Sequence, residues 1–236
     1  MITVDFNRLP ASPGDRILDI GCGSGRHTGA VYELQQVSVT GADISFRTLE
    51  EARARLRFHD EIGAHSGGRW DLSAADIENL PFKARVFDMV ICSEVLEHVP
   101  NDFQAANELA RVLKPGKRLA VSVPRYLAER ICWKFSREYF QTNGGHVRIY
   151  KKSRLIALLQ AAGFDYRGSH FAHSLHTPYW WLKCLVGPAR EDMAAVCLYH
   201  RFLTWDIMQK PRITARIDRL LNPLLGKSLV LYFDKK

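Results

Sequence analysis

The stretch Arg16-Ile17-Leu18-Asp19-Ile20-Gly21-Cys22-Gly23-Ser24-Gly25 decides how this chain is read. Its first half is a short apolar run, the pattern of a buried parallel strand. Its second half alternates glycine with small residues. Glycine lets a backbone turn tightly and approach a ligand with no Cβ in the way. A strand emptying into such a loop marks the edge of an open α/β sheet where ligands bind. The dinucleotide fingerprint requires G-x-G-x-x-G. Gly21 and Gly23 satisfy its first two glycines, but Arg26 stands at the last position. The pattern is instead G-x-G-x-G, with an acid, Asp19, two residues ahead of it.

Outward from this loop, helical and strand patterns alternate. His27 to Gln35 reads as a helix, and Val37 to Asp43 as a strand ending on a carboxylate. Ser45 is placed to cap a helix that runs through Glu50 to His59. Trp70 to Ala75, ending at Asp76, and Phe87 to Cys92 read as strands. Asp102 to Leu113 is a helix stopped by Pro115-Gly116, and Arg118 to Val123 is a fifth strand stopped by Pro124. Ser153 is expected to cap a helix to Ala162, with Gly163 as its stop. Phe164 to Ala172 and Ser228 to Phe233 complete the strands. This alternation predicts a parallel sheet covered by helices on both faces.

Two connections are too long for turns, 125–150 and 173–227. The second carries helical patterns at Ala194–Met208 and Arg212–Leu221. Both leave carboxyl ends of strands, so both are expected to fold over the site as caps. The expected organisation is a cofactor-binding core at 1–124, a cap insertion at 125–150, a core helix and sixth strand at 151–172, a helical cap at 173–227 and a last strand at 228–236.

The chain of 236 residues is 47% apolar and 25% charged, ordinary for one large α/β domain with a cap. Its net charge of +8 is unevenly placed. Through Pro124 there are 14 basic and 17 acidic residues, and from Arg125 onward 19 and 8. A basic back half fits an anionic partner (nucleic acid, membrane headgroups or an acidic substrate) or a solvated face. The five cysteines show no zinc or redox spacing and read as free thiols of a cytoplasmic protein. No secretory signal or bilayer-length apolar run is evident.

Ile17 to Gly25, Gly41-Ala42-Asp43-Ile44-Ser45, Ala75-Asp76-Ile77, Leu80-Pro81-Phe82, Phe87-Asp88-Met89-Val90 and Arg111-Val112-Leu113-Lys114-Pro115-Gly116-Lys117 follow one another in order. Together they resemble the class I S-adenosylmethionine-dependent methyltransferases with a type 11-like core. The resemblance implies a Rossmann-like, seven-stranded, mostly parallel sheet with an antiparallel last strand. It also implies S-adenosylmethionine as cofactor. Asp19, Gly21, Cys22, Gly23 and Gly25 would then meet its methionine part. Asp43, with Ile44 beside it, would hold both ribose hydroxyls. Asp76 and Ile77 would bracket adenine, and Ser93 would complete the set.

Methyl transfer is an in-line displacement on an already activated carbon, so the protein chiefly positions the acceptor and handles its proton. A hydroxyl acceptor calls for a base or a metal. Glu94, Glu97 and His98 lie at i, i+3 and i+4, which on a helical turn share one face. The segment is similar to E-x-x-E-H in small-RNA 2′-O-methyltransferases and ubiquinone-pathway O-methyltransferases. In the former a downstream histidine completes a metal site, and His146 is the candidate here. Glu94, Glu97, His98 and His146 are thus candidate ligands for Mg²⁺ or Mn²⁺. Without a metal, His98 or His146 is the candidate base, with Glu94 beside it as a catalytic acid. His170, His173 and His176 read as strand-end histidines at the pocket rim. Tyr179-Trp180-Trp181 reads as core or as a stacking platform.

Pro178 to Lys183 and Asn222 to Ser228 look similar to actinobacterial sugar O-methyltransferases of methylated-polysaccharide synthesis. The first choice of acceptor is accordingly a small hydroxylated molecule, a sugar or glycoside. Competing readings are a lipid-like quinone, phenol or polyketide at a membrane surface, RNA ribose, and a non-catalytic cofactor-binding scaffold. No recognisable RNA-binding module supports nucleic acid.

Overall fold

The structure, a computed structural model, describes residues 1–34, 36–136, 145–187, 190 and 192–236. In chain order the strands are β1 (Arg16–Ile20), β2 (Ser38–Asp43), β3 (Arg69–Ala74), β4 (Phe87–Ser93), β5 (Leu113–Pro124), β6 (Phe164–Ala172) and β7 (Ser228–Lys235). The helices are α1 (Arg26–Leu34), α2 (Phe46–Glu61), α3 (Asp102–Val112), α4 (Tyr126–Phe135), α5 (Lys152–Ala161), α6 (His176–Val186), α7 (Ala194–Gln209) and α8 (Arg212–Leu225). One seven-stranded sheet runs β3-β2-β1-β4-β5-β7-β6. β7 is antiparallel to both its neighbours, and the pairings among β1 to β5 are all parallel.

The central strands bury both faces, which is why they read as continuous apolar runs. On one face Leu18, Val90, Val121 and Leu231 pack with Leu109 and Leu155. On the other Ile17, Val39, Met89, Ile91 and Ala120 pack with Val31, Val4 and Leu9. Successive residues of a strand point to opposite faces. Each such large side chain removed from water contributes about 1.5–3 kcal/mol.

Most expected elements are present within a residue or two. Ser45 caps α2, accepting from the Thr48 amide. Three boundaries differ. α3 ends at Val112, because Leu113 already pairs with Phe87 and begins β5. Pro115-Gly116 is therefore absorbed inside the strand, where the β4–β5 register shifts. Ser153 is not a cap. α5 starts one residue earlier, behind Lys151, with no side-chain cap. The helix α6 was not expected at all, since Tyr179-Trp180-Trp181 shows no polar face. Gln35, the last residue of the expected first helix, and 137–144 of the first cap insertion lie outside the described residues.

A clamp behind the site fixes the loop that follows β3. Glu108 accepts from the Leu80 amide at 2.8 Å and from Arg111 at 2.6 and 2.8 Å. Arg111 in turn donates to the carbonyls of Leu80 and Phe82. Glu108 is buried, and its pairing with Arg111 holds its carboxyl below the usual range. Removing one partner of a buried ion pair strands the other. Arg111, with 35% of its side chain exposed, can still turn to water, so Glu108→Ala should cost about 1–2 kcal/mol, read as a lower urea midpoint with an unchanged slope.

Candidate active site

The site lies where β1, β2 and β4 end side by side. Gly21 and Cys22 donate to the Ala42 carbonyl at 2.7 and 3.0 Å, which pins the glycine loop to the end of β2. This requires φ of +69° at Gly21, and a Cβ there would sit 2.2 Å from Val95 Cγ2. At Gly23 (φ +52°) the Cβ position is open space. The Gly23 amide donates to Asp43 Oδ2 at 2.8 Å, and the Ser45 amide to Oδ1 at 2.9 Å. A carboxylate oxygen has two lone pairs, so Asp43 is held in place with acceptor capacity left over.

Beside it opens a cavity of about 530 Å³. Gly21, Asp43, Ile44, Asp76, Ile77, Glu94 and His98 line it. Ile44 is 71% exposed. With the buried Ile77 it gives the cavity apolar walls, while Asp43 and Asp76 give it an acidic rim. These residues fit S-adenosylmethionine: an acid for a diol, apolar walls for a flat base, and a glycine loop that leaves room. Asp19, Cys22, Gly23, Gly25 and Ser93 do not line the cavity. Asp19 is 1% exposed and accepts from the Thr28 hydroxyl on α1 at 2.7 Å. It supports the loop from beneath. Ser93 Oγ pairs with Ser122 Oγ at 2.8 Å.

The expected helical turn through Glu94 does not form. Glu94 has φ of +57°, a left-handed conformation that is strained for any residue but glycine. Its amide donates to the Ser122 carbonyl at 2.9 Å and its carboxylate accepts from Ser122 Oγ at 3.0 Å. The chain then turns through Val95 to Val99, so Glu94 leaves the face it was expected to share. Ligand atoms of Glu97, His98 and His146 do converge, all within 4.8 Å of one another. The two imidazole centroids are 4.8 Å apart. The Val147 amide, 2.9 Å from the Glu97 carbonyl, straps the His146 segment to this turn.

Each imidazole is held through Nδ1. His98 Nδ1 is 3.3 Å from the Gly145 carbonyl, and His146 Nδ1 is 2.5 Å from Glu129 Oε1. Sequence reasoning missed Glu129. It sits on α4, 3% exposed, and its signal was only that of an acid in a basic segment. Glu97 is 1% exposed, and both its carboxylate oxygens lack a hydrogen-bond partner among the described residues. Burial, then the charges of Glu94 and Glu129, push its carboxyl well above the usual range. Burial also raises Glu94, against the opposing pull of Lys227, just ahead of β7, and of Ser122. An orphaned carboxylate beside two oriented imidazoles fits a divalent ion.

The other histidines and the aromatic cluster lie elsewhere. His170 and His173 border a second cavity, with Asp218 and Arg219. Trp181 Nε1 donates to the Ala128 carbonyl at 3.2 Å, joining α6 to α4. Tyr179 lies 6.0 Å from Tyr199 on α7. Neither lines the cavity at the glycine loop.

Asp19 makes the loop's support sensitive to pH. Burial pushes its carboxyl up to about 7, against the pull of Thr28. Folded protein thus keeps a proton that the unfolded chain releases near pH 3.9. The Asp19 contribution to stability should fall as pH rises between these values, by at most about 1.4 kcal/mol per unit, and level off above pH 7, while His27, His173 and His176, whose burial holds them neutral, act with the opposite sign. Urea unfolding of the parent and of Asp19→Asn at about pH 5 and 7 checks this: the stability of the variant relative to the parent should rise across that interval.

Residues 18–121 match the methyltransferase domain family. The methyltransferase GfsG of Streptomyces halstedii is 37% identical over 117 residues, 50% of this chain and 40% of that protein. The ubiquinone biosynthesis O-methyltransferase of Idiomarina loihiensis is 31% identical over 182 residues, 77% of this chain and 63% of that protein. The chain thus spans two fifths to under two thirds of the length of these curated relatives. The crystal structure of a SAM-dependent methyltransferase from Methanosarcina mazei superposes with a TM-score of 0.64 at 18% identity, covering 98% of this chain and 97% of that one. That likeness is one of fold. The matched domain, the ordered motifs and the sheet order together support a class I S-adenosylmethionine-dependent methyltransferase domain over residues 18–121.

Proposed function

We propose that the chain O-methylates a small hydroxylated acceptor, a sugar or glycoside, with Mg²⁺ or Mn²⁺ held by Glu97, His98 and His146. The observation that carries this is the buried Glu97 carboxylate, with no hydrogen-bond partner among the described residues, beside two imidazoles tethered at Nδ1. The name of the Idiomarina relative supports oxygen as the nucleophile. The tail resemblance supports a sugar.

When bound, S-adenosylmethionine supplies an activated methyl group. Asp43 holds the ribose diol with its remaining lone pairs, and Ile44 and Ile77 flank the adenine. The glycine loop would receive the methionine part, with Glu94 and His98 lining the same cavity. Glu97, His98 and His146 would hold a divalent ion, which would supply Lewis acidity to lower the pKa of an acceptor hydroxyl. Glu129 holds His146 in one tautomer and orientation, as a carboxylate does behind a metal-binding histidine. The α4 and 145–150 segments, which carry Glu129 and His146, would form the acceptor side.

The 2.5 Å Glu129–His146 pair favours a second reading in which no metal is used. The Glu129 carboxylate accepts from Nδ1–H, leaving His146 Nε2 to take the acceptor's proton. The charged imidazole that results is stabilised by the same carboxylate.

Two experiments test these assignments. Calorimetry with S-adenosylhomocysteine should show binding weakened about tenfold or more in Asp43→Ala, with an unchanged circular dichroism spectrum. Unaltered affinity would remove Asp43 from the ribose. Transfer of labelled methyl to a panel of glycosides should rise with Mg²⁺ or Mn²⁺ and collapse in chelator. Glu97→Gln should lose the metal response while keeping cofactor affinity. Full turnover in chelator would eliminate the metal, and Glu129→Gln should then lower kcat by about 10². Transfer confined to phenolic or quinol acceptors would replace the sugar.

A further inference from the structure

The helix α8 is built inside out. Ile213, Ile217, Leu220 and Leu224 recur at i, i+4, i+7 and i+11, a single apolar stripe. A surface helix ordinarily turns such a stripe to the core. Here all four residues are exposed, at 66%, 43%, 77% and 71%. The face turned inward is mixed, with Leu221 and Leu225 half-buried beside polar groups that are tied down. Thr214 is buried, Asp218 Oδ1 accepts from Ser174 Oγ at 2.8 Å and the Leu175 amide at 3.1 Å, and Asn222 Oδ1 accepts from the Ser174 amide at 3.0 Å.

Charge completes the pattern. Arg212, Arg216 and Arg219 are exposed along one flank of the stripe, and Asp218, the only acid of α8, is tied down on the inner face. The outward surface is therefore apolar and purely cationic. Among the described residues no helix is long and apolar enough to cross a membrane.

We propose that α8 docks this chain on an anionic lipid surface, lying in the interface plane with its leucines among the acyl chains and its arginines at the headgroups. Phosphate alone, as in a polynucleotide, gives an apolar stripe nothing to bury. A second copy of the chain would close a two-fold interface and bring the same arginines against one another. The helix leads through Gly226 to Lys227, which lies 4.6 Å over the Trp180 ring and acts on Glu94. This inference does not depend on the acceptor proposed above.

The test is co-sedimentation of the full chain with vesicles of phosphatidylglycerol and phosphatidylcholine, against vesicles of phosphatidylcholine alone. Binding is expected only with the anionic lipid, and should weaken as salt rises from about 0.05 to 0.5 M. Combined Ile217→Gln, Leu220→Gln and Leu224→Gln should lower the bound fraction about tenfold or more. Arg216→Glu with Arg219→Glu should do the same. All five positions are exposed, so the circular dichroism spectrum and Tm should hold in both variants. Equal sedimentation with both vesicles, none with either, or undiminished binding by the folded variants would overturn the proposal. So would a solution dimer that the glutamine variant converts to monomer.

Discussion

Parallel strands that end together must satisfy the amides of the loops that leave them, and here each loop is satisfied by the neighbouring strand end. Ala42 at the end of β2 receives Gly21 and Cys22. Asp43 receives Ala75, and Ser122 in β5 receives Glu94. Buried backbone donors need such partners. These bonds set the loops in a row along one edge, and they force left-handed backbone at Gly21 and Glu94. Glycine accepts that geometry freely, whereas Glu94 is held there against its preference. The strain at Glu94 takes the segment off a helical path and lets Glu97 enter the interior while His98 stays at the surface.

The electrostatics follow from that geometry. Glu94, Glu97 and Glu129 act on one another in a partly or fully buried setting, and Lys227 offsets only some of the repulsion. Isolated buried charges are costly, so such groups neutralise by protonation or by pairing with a cation. The edge is therefore acidic in a molecule whose net charge is +8. A sulfonium cofactor and a divalent ion are both cations, and both relieve the same imbalance.

What could be read from the sequence was what is local. The strand run Ile17 to Ile20, the glycine loop and Asp43 carry their structure in their own residues, because turn geometry and strand burial are decided over a few positions. Glu129 was invisible because its meaning is the contact with His146, 17 residues away and across a turn. The conformation of Glu94 was invisible because it depends on Ser122 in another strand. α6 was missed because Tyr179, Trp180 and Trp181 pack against both α4 and α7 and leave no polar face to reveal the period.

The helix α8 shows the limit of periodicity more sharply. Its repeat of isoleucine and leucine gives a helix and a stripe, but a stripe has no direction. Direction is set by which face finds better partners. The polar face found Ser174, Leu175 and Thr177, with Asp218, Asn222 and the Leu225 carbonyl accepting from them. Those bonds lie against the end of β6 and the start of α6, where the buried Ser174 and Thr177 would otherwise go unpaired. Once they form, the stripe must face outward. The same hydrogen bonds that fasten the cap to the sheet therefore leave its apolar face without an internal partner.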